Sequence, residues 1–206
     1  MKTKIYFFLA ILLIISGCSS VALTGSWIVP DPKPLEGRSV AIFCVTPRLN
    51  IREKVETQMV NGLKAKGVDA QSSLDFITPG KMDIEIIKEL LKSKNFAGVI
   101  IVSLLDAQKE TYYVPGSTAY YPTAYGRPYY GYYGGVYSTV YDPGYYQTTT
   151  SYFIECNAYR LSDDQLVYSC QTKTVDPSNI DKFAYEYANV IVKDLVSKGV
   201  LAGEKK

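Results

Sequence analysis

The chain contains no histidine. That absence removes imidazole general bases, Ser-His-Asp constellations and His-containing metal sites together. Net charge is scarce as well: 22 Lys and Arg face 20 Asp and Glu, and without Lys2 and Lys4 the two signs balance at 20 each. A chain so balanced lacks the positive field on which long-range nucleic-acid binding relies, so no nucleic-acid partner is expected. No G-x-S-x-G, phosphate-cradling glycine loop, HExxH, CxxC or EF-hand pattern occurs, and neither a cofactor nor a metal is expected. What is present is apolar: 47% of 206 residues, enough to build a core in one ordinary domain after a signal segment.

The N-terminus carries Lys2 and Lys4, an apolar run from Ile5 to Ile15, then Ser16, Gly17 and Cys18. A short basic region, an apolar stretch and small residues form the pattern of an export signal. Eleven helical residues rise about 16 Å, half the hydrocarbon thickness of a bilayer, so a permanent span is not expected. Ile15-Ser16-Gly17-Cys18 resembles the lipobox of bacterial lipoproteins. The resemblance implies cleavage of residues 1–17, a mature chain starting at Cys18, and acyl chains carried by that residue. Two chains already anchor a protein stably, and three hold it on a bilayer essentially permanently. Ser19, rather than Asp, follows the cysteine, as in lipoproteins sorted to the outer membrane by default. Residues 18–37, with Pro30, Pro32 and Pro34 and little periodicity, read as a lipidated tether.

Beyond the tether, residues 38–203 read as one α/β (α+β) domain with a mixed sheet and the order β-α-β-α-β-β-β-α. Val40 to Val45 is a β-branched, apolar first strand ended by Thr46-Pro47. Asn50 with Glu53 reads as a helix N-cap and its reciprocal partner; Val55, Met59 and Leu63 form the apolar stripe, and Gly67 follows as C′ residue. Val68 to Ser73 is a short second strand, and Ile84, Ile87, Leu90 and Leu91 mark a second amphipathic helix. Phe96 to Leu105 is almost wholly apolar, as in a central strand. Gln147–Leu161 and Gln165–Val175 alternate and meet at an acidic turn, forming an antiparallel hairpin. Asp176-Pro177 reads as the N-cap and first position of a last helix closed by Gly199.

Three cysteines remain in the domain: Cys44, Cys156 and Cys170. Cys156 and Cys170 fall on the two hairpin strands, directly opposite if paired residue numbers sum to 326 and offset by one at 327. The first register allows a disulfide; the other reading of all three is small buried hydrophobes. Asp163-Asp164 and Asp75 are the carboxylates worth naming, and they read as turn formers rather than a catalytic pair. Arg52 and Glu56, four apart, read as an ion pair on an exposed helix face.

The unusual segment is 112–146, a Tyr/Gly/Pro-rich insertion between the third and fourth strands. It holds 13 of the 19 tyrosines, six glycines, four prolines and only two charged residues, Arg127 and Asp142. A connection this long is normally functional or disordered. Its tyrosines, Tyr112, Tyr113, Tyr120, Tyr121, Tyr125, Tyr129, Tyr130, Tyr132, Tyr133, Tyr137, Tyr141, Tyr145 and Tyr146, form the candidate binding surface. Rings with polar tips and permissive glycines are the mixture of binding loops.

Several short stretches resemble a group of bacterial envelope lipoproteins: Ser26-Trp27, Val40 to Val45, Arg52 with Glu56, Gly67-Val68-Asp69-Ala70 and Ala97-Gly98-Val99-Ile100. Asn157-Ala158-Tyr159-Arg160 and Gln165-Leu166-Val167-Tyr168-Ser169 extend the resemblance through the closing hairpin. It implies a domain similar to the TolB N-terminal domain and to that of the curli-secretion lipoprotein, proteins that support envelope machinery and are not enzymes. The expectation is therefore a non-enzymatic, lipid-anchored protein at the periplasmic face of the outer membrane, binding an envelope partner or another copy of itself. The alternative is a glycan- or peptidoglycan-binding module or a cell-wall-active enzyme.

Overall fold

The computed structural model describes residues 20–30, 32, 35, 39–78, 84–122 and 137–201; for residues 84, 117–122 and 137–142 it describes the backbone alone. The described chain forms β1 (Val21–Ile28), β2 (Val40–Val45), α1 (Leu49–Lys64), β3 (Ala70–Ser72), α2 (Ile84–Ser93), β4 (Gly98–Val114), β5 (Ser117–Pro122), β6 (Tyr137–Asp142), β7 (Tyr145–Arg160), β8 (Gln165–Val175) and α3 (Ile180–Ser197). Six strands make an open mixed sheet in the order β1-β8-β7-β4-β2-β3, and β5 pairs with β6 in a second, two-stranded sheet. The mixed α/β class holds. Two compact units divide the chain: one is Gln108–Thr150, and the other comprises the residues on either side of it.

In the larger unit, alternation along each strand divides the core into two layers. Val40, Ile42 and Cys44 of β2, Ile100 and Val102 of β4, and Ile154, Cys156 and Ala158 of β7 meet Val55, Met59 and Leu63 of α1 and Phe183, Tyr187, Ile191 and Leu195 of α3. Ala41, Phe43 and Val99 point the other way, toward Leu91, Phe96 and Ile77. Helices on both faces of the parallel strands account for the near-continuous apolar runs in β2 and the start of β4.

The element order departs from expectation first at the N-terminus. Residues 21–28, read as tether, form an edge strand antiparallel to β8, with Val21 opposite Thr174 and Ile28 opposite Tyr168. The pairing continues one residue beyond the strand, where the Val29 amide donates to the Val167 carbonyl, and the Leu35 amide then donates to the Val200 carbonyl after α3. A register shift between Leu23 and Gly25 breaks the period of two. That irregularity hides the strand in the sequence.

Two helix starts also shift. Arg48, not Asn50, occupies the N-cap of α1 and makes no side-chain cap; Asn50 is already helical. Asn179, not Asp176, caps α3, its side-chain oxygen accepting from the Asp181 and Lys182 amides at 2.8 and 3.1 Å. Asp176 instead takes a left-handed φ of 39°, which turns the chain before the helix. Gly67 and Gly199 hold positive φ after α1 and α3, as C′ residues do.

Close approach fixes one further glycine. A Cβ at Gly98 would stand 2.6 Å from Leu35 Cδ1 and 2.7 Å from the Tyr159 carbonyl oxygen. Gly98→Ala is expected to cost about 1–3 kcal/mol of unfolding free energy by overpacking, read from the midpoint shift in urea.

Candidate functional site

The smaller unit, Gln108–Thr150, is built from the ends of β4 and β7 and from the β5–β6 hairpin. Thr111 and Thr148 hydroxyls lie 3.0 Å apart, and the rings of Tyr113 and Tyr146 meet at 5.2 Å with planes inclined by 56°. The strands therefore run antiparallel as a ribbon. Both faces are polar or aromatic, and Tyr112, Tyr113, Tyr145 and Tyr146 are exposed, Tyr146 at 76%. Tyr120, Tyr121, Tyr137 and Tyr141 fall on β5 and β6, opposite Thr139, Ser138, Pro122 and Thr118 respectively. Tyr125, Tyr129, Tyr130, Tyr132 and Tyr133 lie outside the described residues, as does Cys18.

Arg52 and Glu56 are not on an exposed face: Arg52 is buried and Glu56 has no exposed surface. Glu56 Oε1 accepts from the Cys44 amide at 2.8 Å, from Arg52 Nε at 3.0 Å and from the Ser73 hydroxyl at 2.8 Å. Oε2 accepts from the Ser72 hydroxyl at 2.6 Å, while Arg52 Nη2 donates to Ser73 Oγ at 2.6 Å. One carboxylate thus ties α1 to β2, to β3 and to the 3₁₀ turn Ser73–Asp75. A buried charge persists only when paired and hydrogen-bonded in this way. The cluster is sealed from solvent, so its role is to hold the fold. The sequence carried a signal for it: Arg52, Glu56, Met59 and Leu63 fall on one helical stripe.

Asp75 completes a capping box with Ser72, and Asp163 takes a bidentate contact from Arg160 within the β7–β8 turn. That pairing holds the Asp163 carboxyl below its usual range. These carboxylates are turn and cap formers. Among the described residues no group of three or more His, Cys, Asp or Glu is placed to hold a metal ion.

Cys156 and Cys170 face each other directly across β7 and β8, the register summing to 326. The structure holds them, with Cys44, as free buried thiols. A hydrogen bond from Cys156 favours the thiolate of Cys170, whereas its contact with Cys170 and its burial push Cys156 up. Burial, with Glu56 nearby, pushes Cys44 up to about 12, an unreactive thiol.

A cavity of about 450 Å³ opens in the larger unit where β2 and β4 end and α1 and α3 begin. Val45, Ile51, Leu104, Ile154, Ile180 and Phe183 make most of its wall apolar, and among the described residues Arg48 is the one charged group in the lining. Since β2 leads through α1 to β3 on one side and the chain returns through α2 to β4 on the other, this is the point where strand order reverses. Crevices at the carboxyl ends of strands at such a point are the usual ligand positions in open α/β sheets.

Beside this cavity the chain is held from Ser20 onward. The Ser20 amide and hydroxyl donate to Glu186 Oε2 at 2.8 and 2.7 Å, and Thr174 Oγ1 donates to the Ser20 carbonyl at 3.1 Å. These two bonds from Ser20 hold the Glu186 carboxyl below its usual range. A lowered carboxylate value favours the tie above the ordinary carboxylate range and releases it only as pH falls through the lower folded value. The Ser20 amide resonance is expected to titrate below the usual carboxylate range and to lose that titration in Glu186→Gln, as ¹⁵N spectra across pH would record.

No family model matches the chain, and no curated protein matches it. Among solved structures, a PelC dodecamer from Paraburkholderia phytofirmans is similar at 13% identity and a TM-score of 0.45, covering 89% of this chain and 98% of that one. Lipoprotein GNA1162 from Neisseria meningitidis is similar at 9% identity and a TM-score of 0.41, covering 79% and 97%. With scores below 0.5, the assignment of a role rests on the chain's own sequence and geometry.

Proposed function

We propose that the chain is a non-catalytic envelope protein, anchored to the periplasmic face of the outer membrane through acylated Cys18, whose smaller unit binds a protein partner. The partner is another envelope component or a second copy of the chain. The observation that carries this reading is the exposed aromatic ribbon: four tyrosines on β4 and β7 are open to solvent in a unit with few charges. Exposed aromatic groups of this kind are enriched in protein–protein contacts, where ring area is gained at low rotamer cost. The lipobox-like segment supports the anchor. No helix among the described residues is long and apolar enough to cross a membrane.

A benzophenone side chain placed at Tyr113 or Tyr146 in intact cells tests the reading. Recovery of one recurring protein adduct, heterologous or self, is the expected result. Absence of any protein adduct from both positions would overturn it.

A further inference from the structure

We propose that the cavity at the ends of β2 and β4 seats one acyl chain of the lipid carried by Cys18. The inference rests on the anchoring reading above and adds where one of those chains lies. Three observations lead to it. The wall of the roughly 450 Å³ space is mostly apolar, with Arg48 its charged group, a lining that suits hydrocarbon. Its rim continues into exposed apolar side chains, Val45 and Leu104 in the lining itself and Leu49 beside Arg48, each about half exposed.

The chain's own N-terminal side is tied to the same place. Thr174 lines the cavity and donates its hydroxyl to the Ser20 carbonyl, while Glu186, three positions after the lining residue Phe183 and next to the lining residue Tyr187 on α3, holds the Ser20 amide and hydroxyl. Cys18 stands two positions before Ser20, and two extended residues reach at most about 7 Å. A lipid on Cys18 therefore starts within one short span of the cavity wall, with no slack tether to carry it away. Seating one chain here leaves the others for the bilayer, and two suffice for a stable anchor. The seat would press this end of the larger unit to the membrane surface.

The experiment places p-benzoylphenylalanine at Leu104 and, separately, at Ile180 in the full chain expressed in its own membranes. Irradiation is followed by digestion and mass analysis of the extracted protein, with Tyr185, exposed elsewhere on α3, as the control position. The expected product joins the photo-reactive peptide to the acylated Cys18 peptide from both cavity positions and not from Tyr185. Acylated Cys18 with adducts only to free phospholipid, to another copy, or to nothing would overturn the acyl seat and leave the anchor standing. A Cys18 peptide without acyl mass would overturn the anchor and the seat together.

Discussion

Alanine in place of Glu56 is expected to lower the free energy of unfolding by about 3–5 kcal/mol in urea titrations. The substitution leaves the Arg52 guanidinium buried without its countercharge and strips acceptors from the Cys44 amide and the Ser72 and Ser73 hydroxyls. Each orphaned donor adds desolvation cost, and charged ones add most. The paired change Arg52→Met with Glu56→Leu is expected to recover only part of the loss, because it removes the unpaired guanidinium but still leaves the Cys44 amide and the Ser72 and Ser73 hydroxyls without their acceptor. Lys54→Ala serves as contrast. Its ion pair with Asp181 spans 2.6 Å, but both side chains are about half exposed, and such pairs are worth about 0–1 kcal/mol. A loss at Glu56 no larger than that at Lys54 would mean the cluster does not hold the elements together.

The second large effect concerns the ribbon. Tyr113→Ala with Tyr146→Ala removes a touching ring pair from an exposed surface, and truncating a central aromatic anchor typically costs about 2 kcal/mol or more of binding. Partner retention, read as adduct yield from a third position at Tyr112 or as affinity for the recovered protein, is expected to fall about 30-fold or more. The urea midpoint of the larger unit is expected to move little, since surface substitutions away from buried features stay within about 0.5 kcal/mol. Unchanged retention would remove the tyrosines from the interface.

Much of the framework was legible because local chemistry and tertiary role coincide. Val40 to Val45 is β-branched and apolar because helices cover β2 on both faces, and Gly67 and Gly199 stand where the chain turns left-handed after a helix. The β7–β8 hairpin follows from its alternation, whereas the choice between the two registers that alternation allowed is made by the strand pairing, which sets Cys156 opposite Cys170. The hidden parts depend on contacts distant in sequence. β1 is held by β8 across some 150 positions of chain, and its bulge and neighbouring prolines imitate a tether. Arg52 and Glu56 imitate a surface pair until Ser72, Ser73 and the Cys44 amide close around them. The cavity has no signature at all, being formed by the ends of elements that no local pattern joins.

The mass and partitioning of the mature chain test the anchor on which the proposed role depends. Extracted from its own membranes and split between detergent-rich and aqueous phases, the protein is expected in the detergent phase, beginning at Cys18 and carrying the mass of diacylglycerol and an N-acyl group, while Cys18→Ala moves to the aqueous phase. An unmodified chain recovered from the aqueous phase would contradict the account.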